Sequence, residues 1–169
     1  INDLDDAAPV ITSSSTANAI DENSGSGQVI YTATADDSQD ISAGVTFSLA
    51  AESDTALSID SVTGEVTLNS DPDFEAQEQY SFTVVASDGV NANVEQSVTL
   101  DINDLDEIAP TITSAAKADS VDENSGSGQV IYTATADDSQ DISAGVTFSL
   151  AAESDTALSI DSVTGDVTL

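Results

Sequence analysis

Oxygen-bearing side chains crowd into one short stretch, Asp101-Ile102-Asn103-Asp104-Leu105-Asp106-Glu107, which is followed by Ile108-Ala109-Pro110. Carboxylates and amide oxygens at this density suit hard divalent cations, above all calcium, which takes six to eight oxygens from such groups and from backbone carbonyls. If Ile102 continues a strand from Val98 and Leu100, side chains alternate along it, so Asp101 and Asn103 face one way and Asp104 the other. Pro110 has no N–H to donate and ends the ladder, starting the next segment in an extended conformation. The stretch reads as a metal-binding hinge with a fixed register.

Other acids collect in turns rather than on strands. They are Asp21-Glu22, the run Asp71-Pro72-Asp73-Phe74-Glu75, Asp36-Asp37 with Asp40, and Asp88. The competing explanation for any single one of them is solvation of an acidic surface. Catalysis has little to work with. The chain holds no His and no Cys, which rules out Ser-His-Asp or Cys-His nucleophiles and leaves zinc without its usual ligands. Asp71, Asp73 and Glu75 invite comparison with glycosidase carboxylates, but with no Trp and three Tyr the chain lacks sugar platforms. Gly25-Ser26-Gly27 is followed by no Lys and is simply a hairpin turn, not a phosphate loop. Neither an EF-hand loop nor a Gly-rich nonapeptide calcium repeat is present.

Composition narrows the partners. Across 169 residues there are 32 acids and one base, Lys117, for a net charge of −31. Nucleic acid is excluded, because a phosphate backbone is bound through clustered Lys and Arg, and anionic membrane surfaces are disfavoured for the same reason. No apolar run approaches the roughly 20 residues that span a bilayer. Without Cys, stability must come from packing and hard ions. The 39% hydrophobic share suffices for a core of Val, Ile, Leu and Ala.

These residues sit within a repeat. Ile1 aligns with Ile102, Pro9 with Pro110, Glu22 with Glu123 and Leu68 with Leu169, a constant offset of 102 − 1 = 101. The run from Asp21 to Gly64 recurs unchanged from Asp122 to Gly165. A period of that length fits a whole folding domain rather than a solenoid turn. The predicted organisation is a complete repeat at 1–101, with a preceding linker at 1–9, and a linker plus a truncated second repeat at 102–169. Within the complete repeat, apolar residues alternate in short segments separated by Gly, Asp, Asn and Ser. The predicted strands are Val10 to Ser13 with a continuation at Ala19 to Asp21, Val29 to Ala35, Val45 to Leu49, Leu57 to Asp60, Glu65 to Leu68, Tyr80 to Ser87 and Glu95 to Ile102. Tyr80, Phe82, Val84 and Ala86 share one face, as do Val98, Leu100 and Ile102. The expected fold class is all-β, with tandem seven-stranded Greek-key, immunoglobulin-like sandwiches.

Over its whole length the chain resembles cadherin repeats, particularly the cadherin-like extender repeats of large bacterial adhesins. The linker pattern Asp-x-Asn-Asp-Asn-x-Pro is approached by Asp101-Ile102-Asn103-Asp104-Leu105 with Ala109-Pro110 after it, Leu105 replacing the Asn that acts through its carbonyl. Glu22 corresponds to the early Glu, Asp73-Phe74-Glu75 to Asp-Arg-Glu, and Ala86-Ser87-Asp88 to Ala-x-Asp. The Asp-x-Asp after the second strand is replaced by Ala35-Asp36-Asp37 and Ala136-Asp137-Asp138. The resemblance implies calcium-binding linkers, with about three ions at a junction. Their ligands would be Glu22, Asp73, Glu75, Asp101, Asn103 and Asp104, with Asp137, Asp138 and Asp141 from the following repeat. It also implies a second, partial site from Asn2, Asp3, Asp36, Asp37 and Asp88. The functional expectation is a non-enzymatic, extracellular, calcium-rigidified stalk that projects a distal binding domain of an adhesin. Its partners would be neighbouring repeats of the same chain, with other cell-surface molecules or like chains beyond them. The alternatives are direct adhesion by the sandwich surface, homophilic or to carbohydrate, and an accessory module of a secreted enzyme.

Overall fold

The computed structural model describes residues 4–39 and 44–169, which fall into two compact units, Ile1–Leu105 and Asp106–Leu169. Among the described residues the first unit has nine strands: β1 (Val10–Ile11), β2 (Ile20–Asp21), β3 (Gln28–Thr32), β4 (Ala35–Asp36), β5 (Thr46–Leu49), β6 (Leu57–Ile59), β7 (Glu65–Leu68), β8 (Gln79–Ser87) and β9 (Val94–Asn103). One sheet has the order β2-β9-β8-β5 and the other β3-β7-β6, while β1 and β4 form a small ladder of their own. No helix interrupts the described residues, and none is long and apolar enough to cross a membrane.

Alternation on β8 and β9 builds the core. Tyr80 pairs with Leu100 and Phe82 with Val98 across the antiparallel ladder, and all four are buried together with Val84, Ala86 and Ile102. Against them the other sheet sets Ile30, Tyr31, Val66 and Leu68, with the Tyr31 and Phe82 rings edge to face at 5.6 Å. Fully burying each such side chain contributes about 1.5–3 kcal/mol, which fixes the register of the longest strands. The other faces of β8 and β9 carry Ser81, Thr83, Ser97 and Thr99.

Two predicted strands divide. The first becomes β1 and β2, because β1 pairs with β4 while β2 runs parallel to β9, Ile20 beside Ile102 and Asp21 beside Asn103. The second becomes β3 and β4, because buried Ala33 steps out of the ladder to donate its N–H to the Gly64 carbonyl at 2.8 Å. Gly64 has φ of +74°, and a Cβ there would press on the Ala33 carbonyl oxygen. Asp60 shapes the same turn, its Oδ1 accepting the N–H groups of Val62 and Thr63 at 2.8 Å each.

The second unit contains β10 (Thr111–Ile112), β11 (Val130–Thr133), β12 (Ala136–Asp137), β13 (Ser159–Ile160) and β14 (Asp166–Thr168). Strands β10 and β12 pair, and β11-β14-β13 form a sheet with the register of β3-β7-β6 shifted by the repeat offset. One segment behaves differently in its two copies. Thr46–Leu49 is a strand paired with β8, whereas the identical residues 147–150 are not strand.

Candidate metal centre

Parallel pairing at the end of β9 builds the first cluster. Because Asp21 lies beside Asn103, the next residues, Glu22 and Asp104, leave their strands together, and the Glu22 N–H donates to the Asn103 carbonyl at 3.1 Å. The loop before β8 is drawn in by the Asn23 N–H donating to the Pro72 carbonyl at 2.9 Å and the Gly25 N–H donating to Asp71 Oδ1 at 2.7 Å. Asn23 takes a left-handed φ of 54° to make the turn, a conformation that Asn tolerates better than most residues. The outcome is that carboxylate oxygens of Glu22, Glu75 and Asp104 lie within 4.8 Å of one another.

Glu22 is the fixed point of this arrangement. It is 1% exposed, and its Oε2 accepts the Phe74 N–H at 2.9 Å while its Oε1 accepts the Leu105 N–H at 2.7 Å. One buried carboxylate therefore ties the end of β2 to the 71–75 loop and to the linker. Three of the other expected ligands each make a hydrogen bond of their own. Asp73 Oδ1 accepts the Ala76 N–H at 2.9 Å, Asp101 Oδ1 accepts from Gln79 Nε2 at 2.6 Å, and Asn103 Nδ2 donates to Asp21 Oδ1 at 2.8 Å. Asp101 and Asn103 share one face of β9, and both are exposed.

A second cluster joins Asp5, Asp37 and Asp88, again with oxygens within 4.8 Å of one another. Glu75 precedes β8 and Asp88 follows it, so the nine residues of β8 separate the two clusters by about 30 Å of strand. Asp88, 8% exposed, is held by the loop after β8. Its Oδ1 accepts the N–H groups of Val90 and Asn91 at 2.8 Å each, and its Oδ2 accepts from Asn91 Nδ2 at 3.0 Å. Those donors, the Val90 N–H first, hold its carboxyl below the usual carboxylate range. Asn91 Nδ2 also donates to Asp5 Oδ1 at 2.8 Å and to the Ala7 carbonyl at 3.1 Å, fastening the N-terminal linker to the same loop. Of the neighbouring acids, Asp37 joins the cluster, while Asp36 accepts the Ser38 N–H at 3.0 Å, its carboxyl lowered chiefly by the Ser38 side chain. Asn2 and Asp3 lie outside the described residues. Asp5 and Asn91 were absent from the sequence-based set, although the acid at 5 recurs as Asp106 and so carried a repeat signal.

The donor set fits a hard cation. Asp37 Oδ2 is buried and accepts no hydrogen bond, and three carboxylates gathered so closely, with no Lys or Arg in the unit, repel one another unless a cation lies between them. In the second unit, Asp137 Oδ1 accepts the Ser139 N–H at 3.1 Å, with its carboxyl lowered chiefly by the Ser139 side chain. Asp138 accepts from the Ser143 hydroxyl. Asp141 Oδ2 accepts the N–H groups of Glu107 and Ile108 at 2.8 and 3.2 Å.

Known proteins share this architecture. A family model described as the cadherin domain matches residues 17–103. Mouse protocadherin Fat 4 is 32% identical over 146 residues, 82% of this chain but 3% of that protein, so the chain spans a small part of the curated relative it matches. Among solved structures, human protocadherin-24 EC1-2 superposes with a TM-score of 0.69 at 20% identity, covering 96% of this chain and 77% of that one. Mouse cadherin-23 EC22-24 gives 0.64 at 24% identity, covering 99% and 55%. The matched segment runs from buried Ala17 through both long strands to Asn103, the residue next to the first acid cluster, and the chain belongs to the cadherin domain family.

Proposed function

We propose that the chain is a calcium-stiffened extender segment of a bacterial cell-surface or secreted adhesin, working mechanically to hold a distal binding domain away from its anchor. The observation that carries this reading is the placement of one three-carboxylate cluster before β8 and another after it, each including an acid of a linker, Asp104 or Asp5. Sequence repetition extends it. Asp106 and Asp138 stand at the positions of Asp5 and Asp37 one repeat on, so every linker in a longer array would carry acids for the repeat before it and the repeat after it. The proposed ligands in the first unit, at the end of β9, are Glu22, Glu75 and Asp104, with Asp73, Asp101 and Asn103 offering further oxygens, and those in the second unit are Asp106, Asp137, Asp138 and Asp141. The other end would be served by Asp5, Asp37 and Asp88, with Asn2, Asp3 and Asp36.

Near-identity of the copies supports a spacer, because length needs no diversity whereas recognition surfaces differ from copy to copy. The clusters do no bond chemistry. Glu22 holds the linker N–H of Leu105, and calcium, when bound, would supply the positive charge that keeps Glu75 and Asp104 beside it. Small-angle scattering of the chain in calcium and then in chelator tests the reading. Maximum dimension should become broadly distributed in chelator while the far-ultraviolet β signal persists at room temperature. An unchanged dimension and melting temperature would overturn it.

A further inference from the structure

Tension along an extender would enter the first unit ahead of β1 and leave it after β9. Those two ends of the unit are joined by parallel pairing. Ile20 of β2 lies beside Ile102 of β9 and Asp21 beside Asn103, with Thr16 bridging Thr99 in the same sense. The Ala17 N–H donates to the Thr99 carbonyl at 2.9 Å and the Glu22 N–H to the Asn103 carbonyl at 3.1 Å. Parallel strands pulled from opposite ends slide past each other and load all their bonds together, whereas antiparallel neighbours pulled from one end open bond by bond. Upstream, the same segment is held to the other side of the sandwich, where β1 pairs with β4 and the Thr12 N–H donates to the Thr34 carbonyl at 2.8 Å.

Between these two ladders the segment crosses from one sheet to the other, and there side chains stand in for backbone partners. Gln96 Nε2, on β9, shares its protons among the Ser14 carbonyl at 2.8 Å, the Ser13 carbonyl at 3.0 Å and the Tyr31 hydroxyl oxygen at 3.3 Å. The Tyr31 hydroxyl, on β3, donates to the same Ser14 carbonyl at 2.5 Å, and its ring is buried edge to face against Phe82. The second unit makes the comparison informative. Ser14-Ser15-Thr16 becomes Ala115-Ala116-Lys117, yet the Tyr132 hydroxyl still lies 2.7 Å from the Ala115 carbonyl. The contact is made to a main-chain oxygen, so the crossover side chains can change while it stays. We propose that Gln96 and Tyr31 form a mechanical clasp, which locks the crossover at Ser13 and Ser14 to both sheets and sets how fast the first unit opens under tension. This rests on the extender reading, because tension is the load the clasp resists.

The test stretches the full chain by its two ends at constant force in single-molecule force spectroscopy, where lifetimes report the unfolding rate. Opening of the first unit is recognised by its released length, about 30 nm for residues 10–103 against about 20 nm for residues 106–169. Gln96→Ala should open the first unit at least about tenfold faster than the wild type, as loss of two hydrogen bonds predicts. Tyr31→Phe, which keeps the ring on Phe82, should open it at least about threefold faster. Asp54→Ala is the comparison, since Asp54 Oδ2 accepts the Ser81 N–H at 2.9 Å on the edge of β8 away from β9. It should lower stability in chemical unfolding yet leave the rate under tension within about twofold of the wild type, because that contact is still intact when β2 slides past β9. The ratios should be equal in calcium and in chelator, as no atom of the clasp is a carboxylate oxygen, so they are read independently of the scattering that tests the extender. The proposal is overturned if Q96A and Y31F open within about twofold of the wild type, or if D54A opens as fast as Q96A.

Discussion

Replacing Glu22 by Ala should weaken the first unit, while the same replacement at Glu52 should do almost nothing. Glu22 is 1% exposed and accepts two backbone N–H groups; Glu52 is exposed. Leaving a buried donor unpaired costs about 1–3 kcal/mol, so Phe74 and Leu105 together set a cost of about 2–6 kcal/mol. Against this, removing one charge relieves repulsion from Glu75 and Asp104, which at 4.8 Å is worth about 1 kcal/mol per neighbour at the dielectric of water and more in a drier site. With two neighbours that relief is about 2 kcal/mol, so the net destabilisation in chelator is centred near 2 kcal/mol, against about 0.5 kcal/mol or less for an exposed side chain. For a domain of about 100 residues each kcal/mol moves the melting temperature by about 4–8 °C, so a difference of about 1.5 kcal/mol should separate the two variants by about 6–12 °C in differential scanning calorimetry. Calcium at about tenfold excess should widen the gap, since each bound ion adds about 1.4 kcal/mol to the wild type and less to the variant. Equal shifts for the two variants, in chelator and in calcium alike, would refute the assignment of Glu22 as the buried clamp.

Three further outcomes follow from the same geometry. Asp104→Ala should weaken calcium binding in titration calorimetry by at least about tenfold, as expected for loss of one charged ligand, whereas Asp60→Ala, which removes a turn cap, should lower stability and leave calcium affinity unchanged. Gly64→Ala should cost about 1–3 kcal/mol of stability in chemical unfolding, because φ of +74° is strained for Ala and the new methyl meets the Ala33 carbonyl. Acid should destabilise both units: Asp36, Asp60, Asp88, Asp137 and Asp161 all have carboxyls lowered by hydrogen bonds in the fold. A depressed folded value contributes stability above the unfolded value of about 3.9, and that stability is lost as pH falls through the folded value. Thermal melts between about pH 7 and pH 3 should therefore decline toward the acid end, with D60A showing the smaller decline.

Much of this arrangement was legible in the sequence, for identifiable reasons. Alternation exposed Tyr80, Phe82, Val84 and Ala86, and opposite them Val98, Leu100 and Ile102, because those strands bury one face only. Glu22, Glu75 and Asp104 were picked out as acids in loops, and the fold brings them together. What stayed hidden depends on pairing between distant segments. Parallel addition of β2 to β9 gives Asn103 to Asp21, and the pair at the open end of the β8–β9 hairpin gives Asp101 to Gln79; no local pattern encodes either. Asp5 joins Asp37 and Asp88 through Asn91, whose amide reaches back 86 positions.

Crystals of the chain grown with calcium, and with a lanthanide in its place, test the central claim most directly through an anomalous difference map. The account predicts peaks in bonding contact with Glu22, Glu75 and Asp104, and with Asp5, Asp37 and Asp88. Peaks confined to strand faces, with none at either cluster, would contradict it.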